Sequence, residues 1–276
     1  MLTSDERIVT DRTAIEVRRL RLRRGRFRLE IENLRVEPGE LVVLIGRNGA
    51  GKSTLLDAIG GQITADRGQI EIFAREVSSM PARSRALHVS AIPQEFEVPF
   101  AFSVGEVVEF GRAPHLGYFG RMRSDDRAAV AAAIAECDLG RLADRPLGEL
   151  SGGQRRRVAL ATALAQSTPV LLADEPSAHM DIARIHWCWR LLLKRARSGR
   201  AVLAAAHDLN IAAEFADRIY LLGGGKLICD GDPASVLNRQ NLAAGFGVSA
   251  EIEQREGRPY LSEITTPRHA ADRSDR

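Results

Sequence analysis

The chain has 276 residues, 45% of them apolar and 5% aromatic, and a formal net charge of +3. That length buries a full core, as one large domain or a core with a subdomain; the composition suits an α/β protein that is only mildly basic overall. No run approaches the roughly 20 apolar residues of a membrane-spanning helix, and Cys137, Cys188 and Cys229 lie far apart without a C-x-x-C, so a transmembrane helix is excluded and a reduced, cytosolic chain is the simplest reading.

Residues 1–13 are polar and read as loose, and Met1 to Arg7 lack the apolar core of a signal peptide. From Ala14 to Val36 apolar residues (Ile15, Val17, Leu20, Leu22, Phe27, Leu29, Ile31) alternate with arginines. Period two, with Gly25 between the runs, predicts antiparallel strands with one wet face. Arg18, Arg19, Arg21, Arg23, Arg24, Arg26 and Arg28 form either a patch for nucleic acid or lipid or a solvated sheet face. No aromatic platform accompanies the charge, which favours the solvated face. Pro38-Gly39 is a turn into the next strand.

That strand, Leu41 to Ile45, is an unbroken apolar run, as suits a parallel strand buried on both faces. Gly46-Arg47-Asn48-Gly49-Ala50-Gly51-Lys52-Ser53-Thr54 follows and fits G-x-x-x-x-G-K-[ST]. Lys52 to Ile59 then reads as a helix that stops at Gly60-Gly61. The glycines let backbone N–H groups curl around an anion, and the helix N-terminus adds its positive dipole end. Residues Asn48, Gly49, Ala50, Gly51 and Thr54 form the cradle, Lys52 reaches the β- and γ-phosphates, and Ser53 binds Mg²⁺.

Gln69 to Phe73 and Leu87 to Ile92 read as short strands. Ser103 to Phe110, Ser124 to Cys137 and Gly153 to Gln166 carry helical spacing and many alanines, which predicts a helical subdomain inserted at about residues 95–165. Val170 to Ala173, Ala201 to Ala206 and Ile219 to Leu222 are further buried strands, with a helix at about Ile182 to Ala196. The alternation predicts a largely parallel sheet. A small helix and a weak hairpin follow from about residue 240, and Arg268 to Arg276 reads as disordered.

The Val170 strand ends in Asp174-Glu175-Pro176. Acids at the C-terminal edge of a buried strand are costly unless they serve something, and ligands sit at that edge in open α/β sheets. Asp174 is placed to hold Mg²⁺ and Glu175 to polarise an attacking water; the alternative is a pair of acids capping a helix start. His207 follows another buried strand and either bonds the γ-phosphate and the water or is a structural residue beside Asp208. Gln94 ends an apolar strand, where its amide reaches the Mg²⁺ or the water. Leu150-Ser151-Gly152-Gly153-Gln154 opens a helix, with Ser151 as N-cap and glycines that expose N–H groups, a second anion cradle. Either the chain binds two nucleotides or this cradle completes another copy's site. His186 and Cys188 resemble a metal pair, but no further ligands cluster nearby, which favours a structural role.

The order phosphate loop, strand-end Gln94, Leu-Ser-Gly-Gly-Gln, apolar strand with Asp174-Glu175, then His207 resembles the ATP-binding-cassette ATPases from about residue 14 to 237. The resemblance implies a P-loop core, with a mixed, largely parallel sheet and an N-terminal antiparallel β subdomain, spanning 14–240, and a short extension at 241–276. It implies ATP and Mg²⁺ as ligands and two copies paired head to tail, so that Ser151 and Gly153 of one complete the site of the other. It also carries the roles given above to Lys52, Gln94, Asp174, Glu175 and His207. Asp181 matches the family's dimer-contact loop, although His179 and Met180 stand where Ala and Leu are commoner. The family stacks adenine on an aromatic residue near the first strand turn; here Arg24 takes that position, with Phe27 as the alternative.

Gly111-Arg112-Ala113-Pro114-His115 is similar to a segment of the cassettes that drive uptake of iron–siderophore complexes, haem and vitamin B12. That similarity implies an importer ATPase on the cytoplasmic face of the cytoplasmic membrane, docked beneath two permease subunits and served indirectly by a substrate-binding protein. Two other readings stand: a cassette ATPase acting on nucleic acid or ribosomes, which the arginine-rich sheet keeps open, and an exporter or lipid-type cassette.

Overall fold

The computed structural model describes residues 13–96, 98, 101–117 and 120–265. The arginine-rich stretch forms β1 (Ile15–Arg24) and β2 (Phe27–Val36), an antiparallel pair with Arg24 opposite Phe27 across Gly25-Arg26. Ile15, Val17, Leu20, Leu22, Leu29 and Ile31 are buried, while the seven arginines are exposed. β3 (Leu41–Ile45) is wholly buried and runs into the phosphate loop and α1 (Lys52–Ile59). β4 (Arg67–Ile72) pairs with the free side of β1, and β5 (Arg75–Glu76) pairs with β4. α2 (Ala82–His88) precedes β6 (Val89–Ile92). Leu87 and His88, expected in that strand, instead complete the helix; pairing with the next parallel strand begins only at Val89.

Among the described residues, three α-helices separate β6 from β7 (Val170–Asp174): α3 (Val104–Glu109), α4 (Ser124–Glu136) and α5 (Gly152–Ala165). After β7 come α6 (Ile182–Arg197), β8 (Ala201–Ala205), α7 (Leu209–Phe215), β9 (Arg218–Gly223) and β10 (Lys226–Gly231). The chain ends its described part with α8 (Pro233–Val236), α9 (Arg239–Phe246) and a hairpin, β11 (Ser249–Arg255) and β12 (Arg258–Thr265). The loose segment expected at 1–13, except Thr13, and the disordered tail expected at Arg268–Arg276 lie outside the described residues.

Among the described residues, ten strands make one mixed sheet in the order β5-β4-β1-β2-β10-β9-β3-β8-β7-β6. From β9 to β6 every neighbouring pair is parallel, and the β5-β4-β1-β2 arm is antiparallel. The arm joins the rest through β10, by one parallel pair, Lys226 opposite Glu30. Alternation along β3 explains its unbroken apolar sequence. Val42 and Leu44 enter a core shared with α1 and the arm, whereas Leu41, Val43 and Ile45 enter a second core under the helices. A strand covered on both faces has no polar side to show.

The inserted helices pack closely on α5. A Cβ built on Gly111 would lie 2.2 Å from the carbonyl oxygen of Thr162, so only glycine fits there. Gly111→Ala should therefore destabilise by about 1–3 kcal/mol, by overpacking. Gly140→Ala, where a Cβ meets nothing within 4 Å, should stay within about 0.5 kcal/mol. Urea unfolding of both variants checks the contrast.

Candidate functional site

The phosphate loop leaves β3 with Gly46, Gly49 and Gly51 at φ 152°, 78° and 105°, conformations that L side chains rarely adopt. Close approach adds a second constraint at two of them. A Cβ on Gly46 would sit 2.4 Å from the Leu222 oxygen, and one on Gly51 would sit 2.8 Å from Leu29 and 2.9 Å from the Phe27 ring. β9 and the arm thus press on the loop from two sides. Lys52 is 5% exposed, and its Nζ donates to the Gly46 oxygen at 2.8 Å and to the Arg47 oxygen at 3.4 Å. The loop's own carbonyls hold the ammonium at the cradle's floor. Burial pushes the Lys52 pKa down, against the pull of Glu175 and Asp174.

A cavity of about 530 Å³ collects residues 48–54 with Arg24, Phe27, Gln94, Glu175 and His207. Five separate sequence segments converge on it, and its size suits a nucleotide. Phe27 wedges its ring against Gly51, whereas Arg24 is exposed at the cavity's rim. Asp174 lies behind, in an adjoining cavity that Ser53 and Gln94 also line. Its carboxyl is 7% exposed, and Oδ1 has no hydrogen-bond partner among the described residues. Burial first, and then Glu175, raise its pKa, opposed by the Ser53 hydroxyl, Arg156 and Lys52. An orphaned carboxylate oxygen beside a serine hydroxyl is a donor set of hard oxygens, which fits Mg²⁺.

Glu175 follows β7 at φ 49°, a left-handed conformation unusual for a side chain of its size. The turn is held by the Glu175 N–H bonded to the Ala205 oxygen at 3.2 Å. It delivers Oε1 to His207 Nε2, and Gln94 Nε2 donates to the same oxygen at 3.5 Å. The ends of β6, β7 and β8 therefore bring Gln94, Glu175 and His207 to one point. Asp208, next to His207, caps α7 by accepting from the Asn210 and Ile211 N–H groups.

Ser151 caps α5 in a reciprocal box with Gln154, through Oγ accepting at 3.3 Å and Oε1 accepting at 2.9 Å. Residues 151–154 do not line the loop's cavity in the same chain. They lie instead beside His179, which is itself at φ 62°. A Cβ on Gly153 would come within 2.9 Å of the His179 oxygen, so the second glycine is needed for packing as well as for bare N–H groups. Asp181 caps α6, accepting from the Arg184 N–H at 2.9 Å. His186 lies 3.5 Å from Glu214, and Cys188 is buried.

Three residues escape sequence reasoning. Arg156, the middle of three consecutive arginines, is 4% exposed. Its guanidinium donates to the backbone oxygens of Pro93, Gln94, Asp174, Glu175 and Pro176. The available signal is an arginine at helical spacing among Val158, Ala159 and Leu160, which puts it on a buried turn. Asn210 exchanges two hydrogen bonds with Leu261 of the hairpin, 3.1 and 2.8 Å, and Arg258 donates to the Ala213 and Ala216 oxygens, 2.9 Å each. The hairpin thereby clamps the helix that starts beside His207; no local pattern announces that pairing.

Arg156→Lys keeps the charge but not the planar fork. Most of the five carbonyls lose their donor, so stability should fall by about 2–4 kcal/mol, with ATP hydrolysis falling alongside. Thermal melts and a phosphate-release assay read the two effects.

Comparison with known proteins places this geometry. A profile described as ABC transporter matches residues 29–178. The hemin import ATP-binding protein HmuV of Streptomyces coelicolor is 42% identical over 228 residues, which cover 83% of this chain and 81% of that protein. The protein of the same name from Myxococcus xanthus is 39% identical over 254 residues, 89% of this chain and 94% of that protein. Among solved structures, an inward-facing metal-chelate type ABC transporter aligns with TM-score 0.78 at 28% identity, over 92% of this chain and 97% of that one. A dimeric ATP-binding cassette in a post-hydrolysis state, bound to ADP and Pi, aligns with TM-score 0.70 at 26% identity, over 79% and 98%. The phosphate loop, the converging strand ends and these relatives agree: the chain belongs to the ABC transporter family, as one of its ATP-hydrolysing cassettes.

Proposed function

We propose that this cassette powers haem import, binding and hydrolysing ATP beneath a pair of permease subunits at the cytoplasmic face of the membrane. The observation that carries the cargo assignment is near-full-length identity of about 40% to hemin import ATP-binding proteins. The wider class, iron–siderophore and related metal complexes, is the one implied by the Gly111-to-His115 segment. No helix among the described residues is long and apolar enough to cross a membrane; in this reading the permease subunits carry the membrane attachment. Residues 14–240, with the helical insert at about 95–165, act as the cassette, and 241–276 as a short extension.

Backbone N–H groups of residues 48–54 wrap the phosphates, and Lys52, already at the cradle's floor, neutralises the β- and γ-oxygens. Ser53, Asp174 and Gln94 would hold Mg²⁺, which when bound offsets phosphate charge. Arg24 covers the base with its guanidinium plane; Phe27, packed on Gly51, is less free to do so. Glu175 takes the proton of the attacking water, and His207 and Gln94 fix its carboxylate by their bonds to Oε1. Ser151, Gly152, Gly153 and Gln154 complete the site of a second copy, a reading supported by their not lining the cavity of their own chain. ATP then favours the closed pair by contacting both chains, and that differential contact drives the permease. A substrate-binding protein delivers cargo on the far side, and nucleic acid has no part in this cycle.

Glu175→Gln should retain ATP binding and lose about 10²–10⁴ in turnover, leaving an ATP-trapped dimer on gel filtration. Hydrolysis at the parent rate would sink the base assignment. Ser151→Arg should spare ATP binding by the monomer and stop dimer-dependent hydrolysis; unchanged turnover would rule out the shared site. For cargo, the cassette reconstituted with its permease is assayed for ATPase stimulation by binding protein loaded with haem, ferric siderophore or cobalamin. Stimulation by haem alone is expected, and stimulation by another cargo without haem would overturn the assignment.

A further inference from the structure

The outer face of β1 departs from regular strand geometry at one point. Pairing with β4 runs Arg18 opposite Gln69, then jumps to Arg21 opposite Arg67, so β1 carries a bulge. Arg19 sits in that bulge at φ 48°, left-handed backbone that a long side chain adopts only under constraint. Gly68 faces it at φ 92°, where a Cβ would lie 2.4 Å from the Arg19 oxygen. Bulge and glycine together open a cleft of about 690 Å³ lined by Arg18, Arg19, Arg21 and Arg67, with Glu32 and Gln69.

The charges around this cleft are arranged against the fold's own interest. Arg21 stands directly opposite Arg67 on β4, a like-charge cross-strand pair that destabilises a sheet, with Glu30 opposite it on β2; Arg23 and Arg28 make a second like-charge pair outside the cleft lining. Glu16 is shared between Arg18 and Arg35. Arg19, Arg21 and Arg67 have no ion pair among the described residues. A solvated face alone needs neither a strained arginine nor a repelling pair; strain and arginines without an ion pair at one cleft are the marks of a site.

We propose that this cleft binds a phosphate-bearing anion with two or more negative charges, at a site separate from the nucleotide cavity. Guanidinium forks match phosphate oxygens in pairs, and the cleft volume suits an oligophosphate or a phospholipid headgroup. The lining holds no aromatic ring, so recognition runs through charge and not through base stacking. Bound anion would relieve the repulsion between Arg21 and Arg67.

The test uses the full chain with its nucleotide cavity saturated by a non-hydrolysable ATP analogue and Mg²⁺. Inorganic tripolyphosphate is titrated by calorimetry, and vesicles of phosphatidylglycerol with phosphatidylcholine, or of phosphatidylcholine alone, are co-sedimented. The wild-type chain should bind tripolyphosphate, anionic vesicles or both, more weakly as salt rises. Arg21→Gln/Arg67→Gln should weaken that binding at least about tenfold, with basal ATP hydrolysis unchanged and a melting temperature no lower than the parent's. Should the double variant fail to fold, the exposed Arg67→Gln alone should still weaken binding by about threefold or more. Tripolyphosphate binding without vesicle binding assigns a soluble anion; vesicle binding without tripolyphosphate binding assigns a lipid headgroup; either supports the site. Binding of neither probe, or equal binding by the variants, overturns the proposal.

Discussion

Arg156 joins the parts of this molecule that must act together. A guanidinium has five N–H donors, and here five backbone oxygens receive them, from Pro93 and Gln94 after β6 and from Asp174, Glu175 and Pro176 after β7. Burial lowers its pKa, but an arginine stays protonated. The carbonyls therefore meet a full positive charge in a low-dielectric setting, where such bonds are strong. Because Arg156 belongs to α5, the ends of the strands bearing Gln94 and Glu175 are fixed to the helix that begins at Ser151. The two strand ends and the helix that Ser151 caps share a single cationic pin.

The opposite end of α5 is fixed by similar means. Arg112, 7% exposed, donates to the Ala165 oxygen at 2.7 Å and to Asp126 Oδ1 at 2.8 and 3.0 Å. His115 Nε2 lies 2.8 Å from the Gln166 oxygen, and the Gln166 amide donates to the oxygens of Ala86 in α2 and Val89 at the start of β6. Basic side chains at a helix C-terminus satisfy its free carbonyls and oppose its negative dipole end. The Gly111-to-His115 segment thus has a mechanical meaning as well as a kinship one. Gly111 gives the close approach, Arg112 ties the end of α5 to α4 through Asp126, and Gln166 ties it to the sheet at Val89, so α5 is held at both ends by arginines bonded to main-chain oxygens.

Strain in the nucleotide region collects where chemistry is expected. Glu175 and His179 are both left-handed, within five residues of each other, while β7 before them is regular. The surrounding bonds, Glu175 N–H to Ala205 and Arg156 to the Glu175 oxygen, hold the turn in place. A rigid strand end that aims one carboxylate and leaves the buried Asp174 Oδ1 without a partner among the described residues is preorganised for a ligand and costs the isolated cassette stability.

Local chemistry wrote much of this into the sequence. The run Leu41 to Ile45 must be buried on both faces, the glycines of Gly46–Gly51 must bend as no other residue does, and Ser151 with Gln154 must cap a helix; each follows from side chains within a few positions. Many of the strands and helices followed from the same rules, except where α2 formed and took Leu87 and His88 from the expected strand, where Phe73 fell outside β4, and where β5, α7, α8 and β10 went unseen. What only the tertiary structure decided is which distant groups meet. Nothing near Arg156 in the chain names five carbonyls from two strand ends, nothing near Asn210 names the hairpin residue Leu261, and the spacing of Arg21 and Arg67 does not show that they face each other. Periodicity encodes which face of an element is buried; it carries no information about which buried face lies against it, and that pairing is set by packing two cores around one sheet.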